Sequence, residues 1–427
     1  MPDLTDAECE ITDFGTYTED QFFDDMFRVT EYRTDPELVE ILVKNSLDTL
    51  KWMRGKGIRF APIWGRQAFK VDGRFKFWGG LTVEAWGGGP GLCEALWESA
   101  KKRGIEILFE ARATDLLRDG NRIQGIKIKH QGQVKEIVAK SVVLAAGGFQ
   151  ANAEWRTRYL GPGWDLAKVR GTPYNVGDGI RMATDMGAST KGNWSGCHAV
   201  GWERNAPEFG DLAVGDAFQK HSYPFGIMVN ATGRRFVDEG ADFRNYTYAK
   251  YGRVILNQPN QFAWQIFDQK TIHLLEPRYS TSEPIQADTL EELVDLLDLD
   301  NKTQAIKTLE TFNESACDEE NFDPTLKDGL CTTNLTPNKT NWALRLDKPP
   351  FVAYSATGGI TFTFGGLKVD ENAQVIGTDW RPIPGLYCCG EMVGGLFHFN
   401  YPGGTGLVSG AVFGKIAGRS AASQTVK

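Results

Sequence analysis

Residues Gly385–Gly418 read GLYCCGEMVGGLFHFNYPGGTGLVSGAVFGKIAG. Leu386–Cys389 is a short apolar run of the kind that forms a buried strand. Gly390-Glu391 ends it, where a side chain can leave the strand end and meet a ligand. Gly394-Gly395 and Gly403-Gly404-Thr405-Gly406 follow, and a helix is predicted from near Leu407. Several backbone N–H groups in the last glycine cluster have no side chain in front of them. The helix behind them adds the positive end of its dipole. Such a stretch can cradle a pyrophosphate or polarise the carbonyl edge of a ring. A tight strand–turn–helix without a ligand would look similar, so the upstream segments have to decide.

The chain has 427 residues, enough for one large or two medium domains. Hydrophobic content of 41% and charged content of 24% are ordinary for a globular enzyme. The 48 glycines point to many close backbone approaches. A net charge of −8 and a pI of about 5.4 argue against nucleic acid or an anionic membrane surface as partner. The seven cysteines include no C-x-x-C pair, and Cys388-Cys389 lie in an apolar run. Buried free thiols are expected, which suits a reducing cytoplasm. No run is long enough to span a bilayer, and MPDLTDAECE lacks the basic and apolar parts of a signal peptide. The five histidines are scattered, with no metal-ligand spacing.

Outward from the tail, the N-terminal part reads as helices and short strands. Residues 1–18 are polar and irregular in pattern. A helix is predicted from Glu19 to about Glu31. Asp35-Pro36 is a second helix start, an N-cap with proline at the first helical position. Leu38, Ile41, Leu42, Leu50 and Met53 keep one face apolar down to Gly55. Trp78-Gly79-Gly80 and Gly87-Gly88-Gly89-Pro90-Gly91 lead into a helix from Leu92 to Arg103. No clean strand is read over residues 71–86, so these glycines are not a dinucleotide fingerprint. Strands are predicted at Ile105–Phe109 and Arg112–Leu117, with Ile123–Lys129 paired to Val134–Val138. Ser141–Phe149 is a buried strand ending in Gly147-Gly148. Gly177-Asp178-Gly179 opens a helix, with Asp178 placed to cap it.

From about His198 to Phe362 the chain becomes richer in aromatics, Asn and Asp, with helices near Leu290–Leu297 and Thr303–Phe312. This reads as a second domain inserted into the first, which places a ligand cleft at the seam. The expected division is 1–197 and 363–427 for an α/β domain, and 198–362 for an α+β cap.

VVLAAGGF (142–149), GDGIRMA (177–183), MVNATGRRFVDE (228–239), ATGGITFTFGGLKVD (356–370), GLYCCGE (385–391) and NYPGGTGL (400–407) stand in this order. The series resembles the fumarate reductase/succinate dehydrogenase flavoproteins over nearly the whole chain. ITFTFGG and NYPGGTGL favour the tricarballylate dehydrogenase branch. The resemblance implies an α/β, three-layer FAD/NAD(P)-binding domain with an inserted capping domain, and FAD as cofactor. Such a domain normally opens with a βαβ unit carrying G-x-G-x-x-G. Nothing before Trp52 reads that way, so the chain is expected to begin past that finger.

In that family a hydride passes between flavin N5 and a substrate carbon, and an arginine of the cap exchanges the proton. The resemblance puts Arg244 in that role, one residue later than in typical fumarate reductases. An arginine is a poor base, with a pKa above about 12, so it needs a water-poor site and a relay. Tyr401 and His398 join it as catalytic candidates. Ala146, Gly147, Gly148, Asp178, Gly390, Glu391, Gly404, Thr405, Gly406 and Leu407 are the cofactor candidates. Thr361, Phe362, Thr363 and His198 are the substrate candidates; no metal site is expected.

Three departures bear on the substrate. Phe362 stands where the reductases carry a histidine, and Tyr401 where they carry an arginine. Gln219 and Ser222 stand, by ungapped counting, where they carry the Glu and Arg of the proton path. The first expectation is desaturation of a small polycarboxylate, tricarballylate to cis-aconitate in type. The alternatives are a 3-ketosteroid-type dehydrogenase, with Tyr401 polarising a carbonyl, and an inactive fragment unable to hold FAD. A separate redox protein is the expected electron partner, in the cytoplasm.

Overall fold

Thr190–Glu203 and Phe351–Leu367 are the two longest strands, and they pair antiparallel. The computed structural model describes residues 3–77, 82–318 and 320–423. Thr190–Asn193 lie against Phe364–Leu367, the register slips at a bulge between Asn193 and Cys197, and pairing resumes over Ala199–Glu203 against Ala356–Ile360. A bulge bends a strand and raises its twist. The same two strands therefore begin in one lobe and end in the other. The boundaries expected at 197/198 and 362/363 fall inside these strands, beside the bulge, rather than in linkers.

In the cap, Phe262–Phe267 pairs with Phe351–Leu367 and Ile227–Asn230 pairs with Phe262–Phe267. Every residue of both shorter strands is buried. Helices Leu290–Leu296 and Lys302–Ser315 set Leu293, Val294, Ala305, Leu309 and Phe312 against Ile227, Val229, Trp264 and Ile266. Side chains of this size each contribute roughly 1.5–3 kcal/mol on burial, so the cap has a core of its own.

The other lobe is built on Val142–Leu144 and Pro382–Cys388, which run parallel, with Gln374–Ile376 antiparallel beside the latter. Helix Thr405–Ser423 packs on this sheet through Val412, Phe413 and Ala417, next to helix Pro36–Arg54 with Leu38, Val39, Leu42 and Val43. Asp35 caps the latter helix, accepting from the N–H groups of Glu37 and Leu38 with Pro36 behind it. The three strands Ala111–Asp119, Arg122–His130 and Gln133–Val138 form a separate antiparallel meander.

Some local expectations change. Residues 1–18 hold a short helix, Asp6–Glu10, and a strand, Thr12–Asp13, that pairs with Arg74–Phe77. Strands Ala68–Val71, Arg74–Phe77 and Val83–Ala85 occupy the stretch read as lacking one. Trp78-Gly79-Gly80 lies outside the described residues. Ile105–Phe109 is not a strand. Ile105, Leu108 and Phe109 are 56%, 44% and 63% exposed, because no neighbouring strand takes up their backbone groups and isolated extended chain gains nothing. Helix Gly88–Lys101 buries none of its residues, so apolar surface stays open on this side. Among the described residues, no helix is long and apolar enough to cross a membrane.

Candidate flavin and substrate site

The Gly147-Gly148 and Gly390-Glu391 segments lie against each other. The strand expected over Ser141–Phe149 covers only Val142–Leu144; Gly148, four residues beyond it, approaches Glu391 so closely that a Cβ there would lie 2.1 Å from Thr363 Oγ1 and 2.2 Å from Glu391 Oε1. Ala146 N–H meets Met392 Sδ at 3.3 Å. Gly390 has φ +70 and turns the chain out of the strand. Glu391 Oε1 accepts from Thr363 N–H at 2.7 Å and from its hydroxyl at 3.1 Å, and Oε2 accepts from Gln150 Nε2 at 3.2 Å. Burial pushes the Glu391 carboxyl up, against the pull of these bonds. Thr363, expected at the substrate, thus holds Glu391. Asp178 is the first residue of its helix rather than the cap, which is Gly177. Arg112 donates to its two oxygens at 2.9 and 3.1 Å.

The tail helix starts at Thr405, two residues earlier than Leu407. Thr405 is tied down by its hydroxyl to Pro402 O at 2.6 Å. Gly404 is exposed at φ +90, and Leu407 is 78% exposed. The first amides of a helix have no intrahelical acceptor, and those of Gly406 and Leu407 meet no other acceptor among the described residues. Donors left open beside a glycine turn fit an electron-rich ring edge or a phosphate. The residues present therefore suit a flavin.

A box of rings adjoins this helix end. A Cβ on Gly406 would sit 3.4 Å from the Phe362 ring and 3.8 Å from Tyr401. The Tyr401 hydroxyl is hydrogen-bonded to that of Tyr248. His198 is fully buried, its ring 4.7 Å from Tyr401, 4.9 Å from Tyr248 and 5.3 Å from Phe362. Phe397 closes the box at 5.3 Å from Tyr401. Burial, then the neighbouring Tyr248, raises the Tyr401 phenol well above its usual range. Burial, then Arg170, pushes the His198 imidazole well below its own. Among the described residues, neither His198 nitrogen has a protein partner, and the Thr361 hydroxyl is also buried without one. His398 stands to one side, its ring edge-on to Phe399 at 4.6 Å, and burial, then Arg33, pushes its imidazole below its usual range.

Charged groups line the far side of the box. Arg244 opens a 3-10 turn, is 8% exposed, and lies with its guanidinium carbon 6.0 Å from the Tyr248 ring centre. Its Nε is 2.5 Å from Glu276 Oε1, and it donates to the Arg66 carbonyl. Glu276 Oε2 accepts from Arg278 at 3.2 Å, and Arg278 lies 3.5 Å from His221 Nδ1. His221 in turn packs on Tyr248 at 5.0 Å. Burial lowers the Arg278 guanidinium to about 10. The positions counted for the proton path carry supporting roles: Ser222 Oγ accepts from Glu276 N–H at 3.0 Å, and Gln219 donates to Asp216 at 3.2 Å. Glu276 and Arg278 were not singled out from the sequence. The signal available was an acid and an arginine two apart, Glu276-Pro277-Arg278, inside an apolar segment. Among the described residues no cluster could hold a metal ion.

A model of the FAD binding domain matches residues 11–408. The chain belongs to this family, and its cofactor is FAD. It is 28% identical over 412 residues to a probable fumarate reductase, Ifc3, of Shewanella frigidimarina, covering 95% of this chain and 64% of that one. It is 27% identical over 376 residues to a 3-oxosteroid 1-dehydrogenase of Mycobacterium tuberculosis, covering 80% and 64%. A flavocytochrome c3 fumarate reductase in an open conformation superposes with a TM-score of 0.72 at 26% identity, over 96% of this chain and 68% of that one. The chain thus spans just under two thirds of these curated relatives, and of others about two fifths, 37% and 41%. The α/β FAD-binding fold with an inserted cap is that of this family.

Proposed function

We propose that this chain is the catalytic core of an FAD-dependent oxidoreductase acting on a CH–CH bond next to a ketone. FAD supplies hydride exchange with one carbon of that bond. Ala146, Gly147, Gly148, Gly390, Glu391, the Gly404-Thr405 turn and the amides of Gly406 and Leu407 hold the cofactor, with Asp178 at the nucleotide end. The cap, 198–362, closes over the substrate.

The observation that carries this reading is the buried Tyr248–Tyr401 pair in a wall of rings. Tyr401 stands where the resembled reductases place a carboxylate-binding arginine. Its hydroxyl donates to the substrate carbonyl and acidifies the neighbouring C–H. Tyr248, His198 and Phe362 orient it and keep water out. Arg244 handles the proton on the adjacent carbon, with Glu276 at 2.5 Å and Arg278 behind it as the path onward. Glu276 lies between the two guanidiniums and links Arg244 to Arg278 as the route for that proton. The similarity to a 3-oxosteroid dehydrogenase supports the ketone reading.

A second reading, a small polycarboxylate of the tricarballylate type, is favoured by the gathering of Arg66, Arg170, Arg244 and Arg278 near the box. Either way a separate redox protein exchanges electrons with the flavin. The test is turnover of flavin-loaded protein on two panels, cyclic ketones with their enones and small polycarboxylates. Turnover on ketones, lost in Tyr401→Phe, is the expected result. Turnover on tricarballylate or fumarate alone would overturn the ketone reading.

A further inference from the structure

Three guanidiniums from separate parts of the chain converge on one oxygen. Asp216 Oδ2 accepts from Arg278 at 2.5 Å, Arg170 at 3.0 Å and Arg66 at 3.3 Å, with Gln219 Nε2 at 3.2 Å. Arg66 comes from the short helix Trp64–Gln67, Arg170 follows the Lys168–Val169 strand, and Arg278 lies in the turn Pro277–Thr281. Arg66 also binds Glu84, and Arg278 also binds Glu276. Planar guanidiniums converging this way are how proteins recognise a ligand carboxylate. Here the carboxylate is the protein's own. It stays partly open, with 40% of the Asp216 side chain accessible, while the Arg278 side chain is 8% exposed. The cage touches the ring box through Arg278, His221 and Tyr248.

We infer that Asp216 is a specificity-determining residue: it occupies the anion subsite of the cleft, so that the site refuses a substrate carboxylate and accepts a neutral end. This rests on the ring box being the substrate site. A carboxylate arriving at the cage would have to displace a resident that already holds the cage's donors. Otherwise it would lie against a like charge, an arrangement that selects by repulsion. A ketone meets neither cost.

The test uses malonate as probe, sodium chloride at equal ionic strength as control, and thermal shift and calorimetry as readouts that do not depend on turnover. Wild type is expected to bind malonate no better than chloride does. Asp216→Gly opens the cage and is expected to bind malonate about 10- to 100-fold more tightly than wild type, the range for charge-assisted hydrogen bonds. Folded Asp216→Gly with no gain overturns the inference, as does tight malonate binding by wild type. If the glycine variant does not fold, Asp216→Ala is read by the same criterion. Should neither variant fold, recovery of soluble protein when acetate is added during refolding counts for the inference, and no recovery counts against it. A gain in malonate binding without ketone turnover would leave the subsite standing and remove the ketone reading; ketone turnover without the gain would do the reverse.

Discussion

Glu276→Gln removes the negative charge between Arg244 and Arg278 while keeping the side chain's volume. The carboxylate is 6% exposed and lies 2.5 Å from one guanidinium and 3.2 Å from the other. Without it, Arg244 loses this carboxylate and Arg278 keeps only Asp216 of its two. Breaking a buried ion pair by removing one partner costs about 3–5 kcal/mol, so a lower urea midpoint is expected, followed by tryptophan fluorescence. The chemical consequence is separable. If Glu276 passes the proton onward from Arg244, its loss should lower kcat by about 10²–10⁴, the usual range for a general acid or base. KM should move little and flavin content not at all. Single-turnover flavin reduction is the assay, with Glu276→Asp as partial rescue. A Gln variant that keeps its flavin and turns over within a factor of about two of wild type would refute the relay, whatever its stability.

Arg244→Ala should lower turnover by orders of magnitude with flavin retained, and unchanged turnover would remove Arg244 from the reaction. Gly148→Ala places a methyl about 2 Å from Glu391 and Thr363, so the purified variant should lose most of its visible flavin absorbance; full absorbance would mean the loop has room that the structure denies it. Acid should unfold the site. Burial lowers both His198 and His221 well below 6.5, with Arg170 and Arg278 respectively adding to it, so the folded chain binds fewer protons than the unfolded one in that window. Stability is then full above about pH 6.5 and falls as pH drops through the folded values, by up to about 1.4 kcal/mol per pH unit for each ring. His198→Gln should flatten the urea midpoint between about pH 5 and 7, and an unchanged slope would show that His198 is not buried neutral.

Segments where backbone must come close to something else are legible from residue order alone. Gly147, Gly390 and Gly404 take positive φ and Gly148 has no room for a Cβ, and such demands are written in neighbouring positions. The Asp35-Pro36 helix start was legible for the same reason. Ile105–Phe109 misled because a strand exists only when another strand meets it, which no local pattern records. Thr190–Glu203 and Phe351–Leu367 carry straight through the expected cap boundary, so no linker composition marks the seam. The pairing of charges came from folding in three dimensions. Glu276 and Arg278 stand far along the chain from Arg244, and Asp216 meets arginines 150, 46 and 62 residues away. Electrostatic partners are chosen by distance in space, at energies that fall with separation and rise with burial, and sequence position carries no information about either.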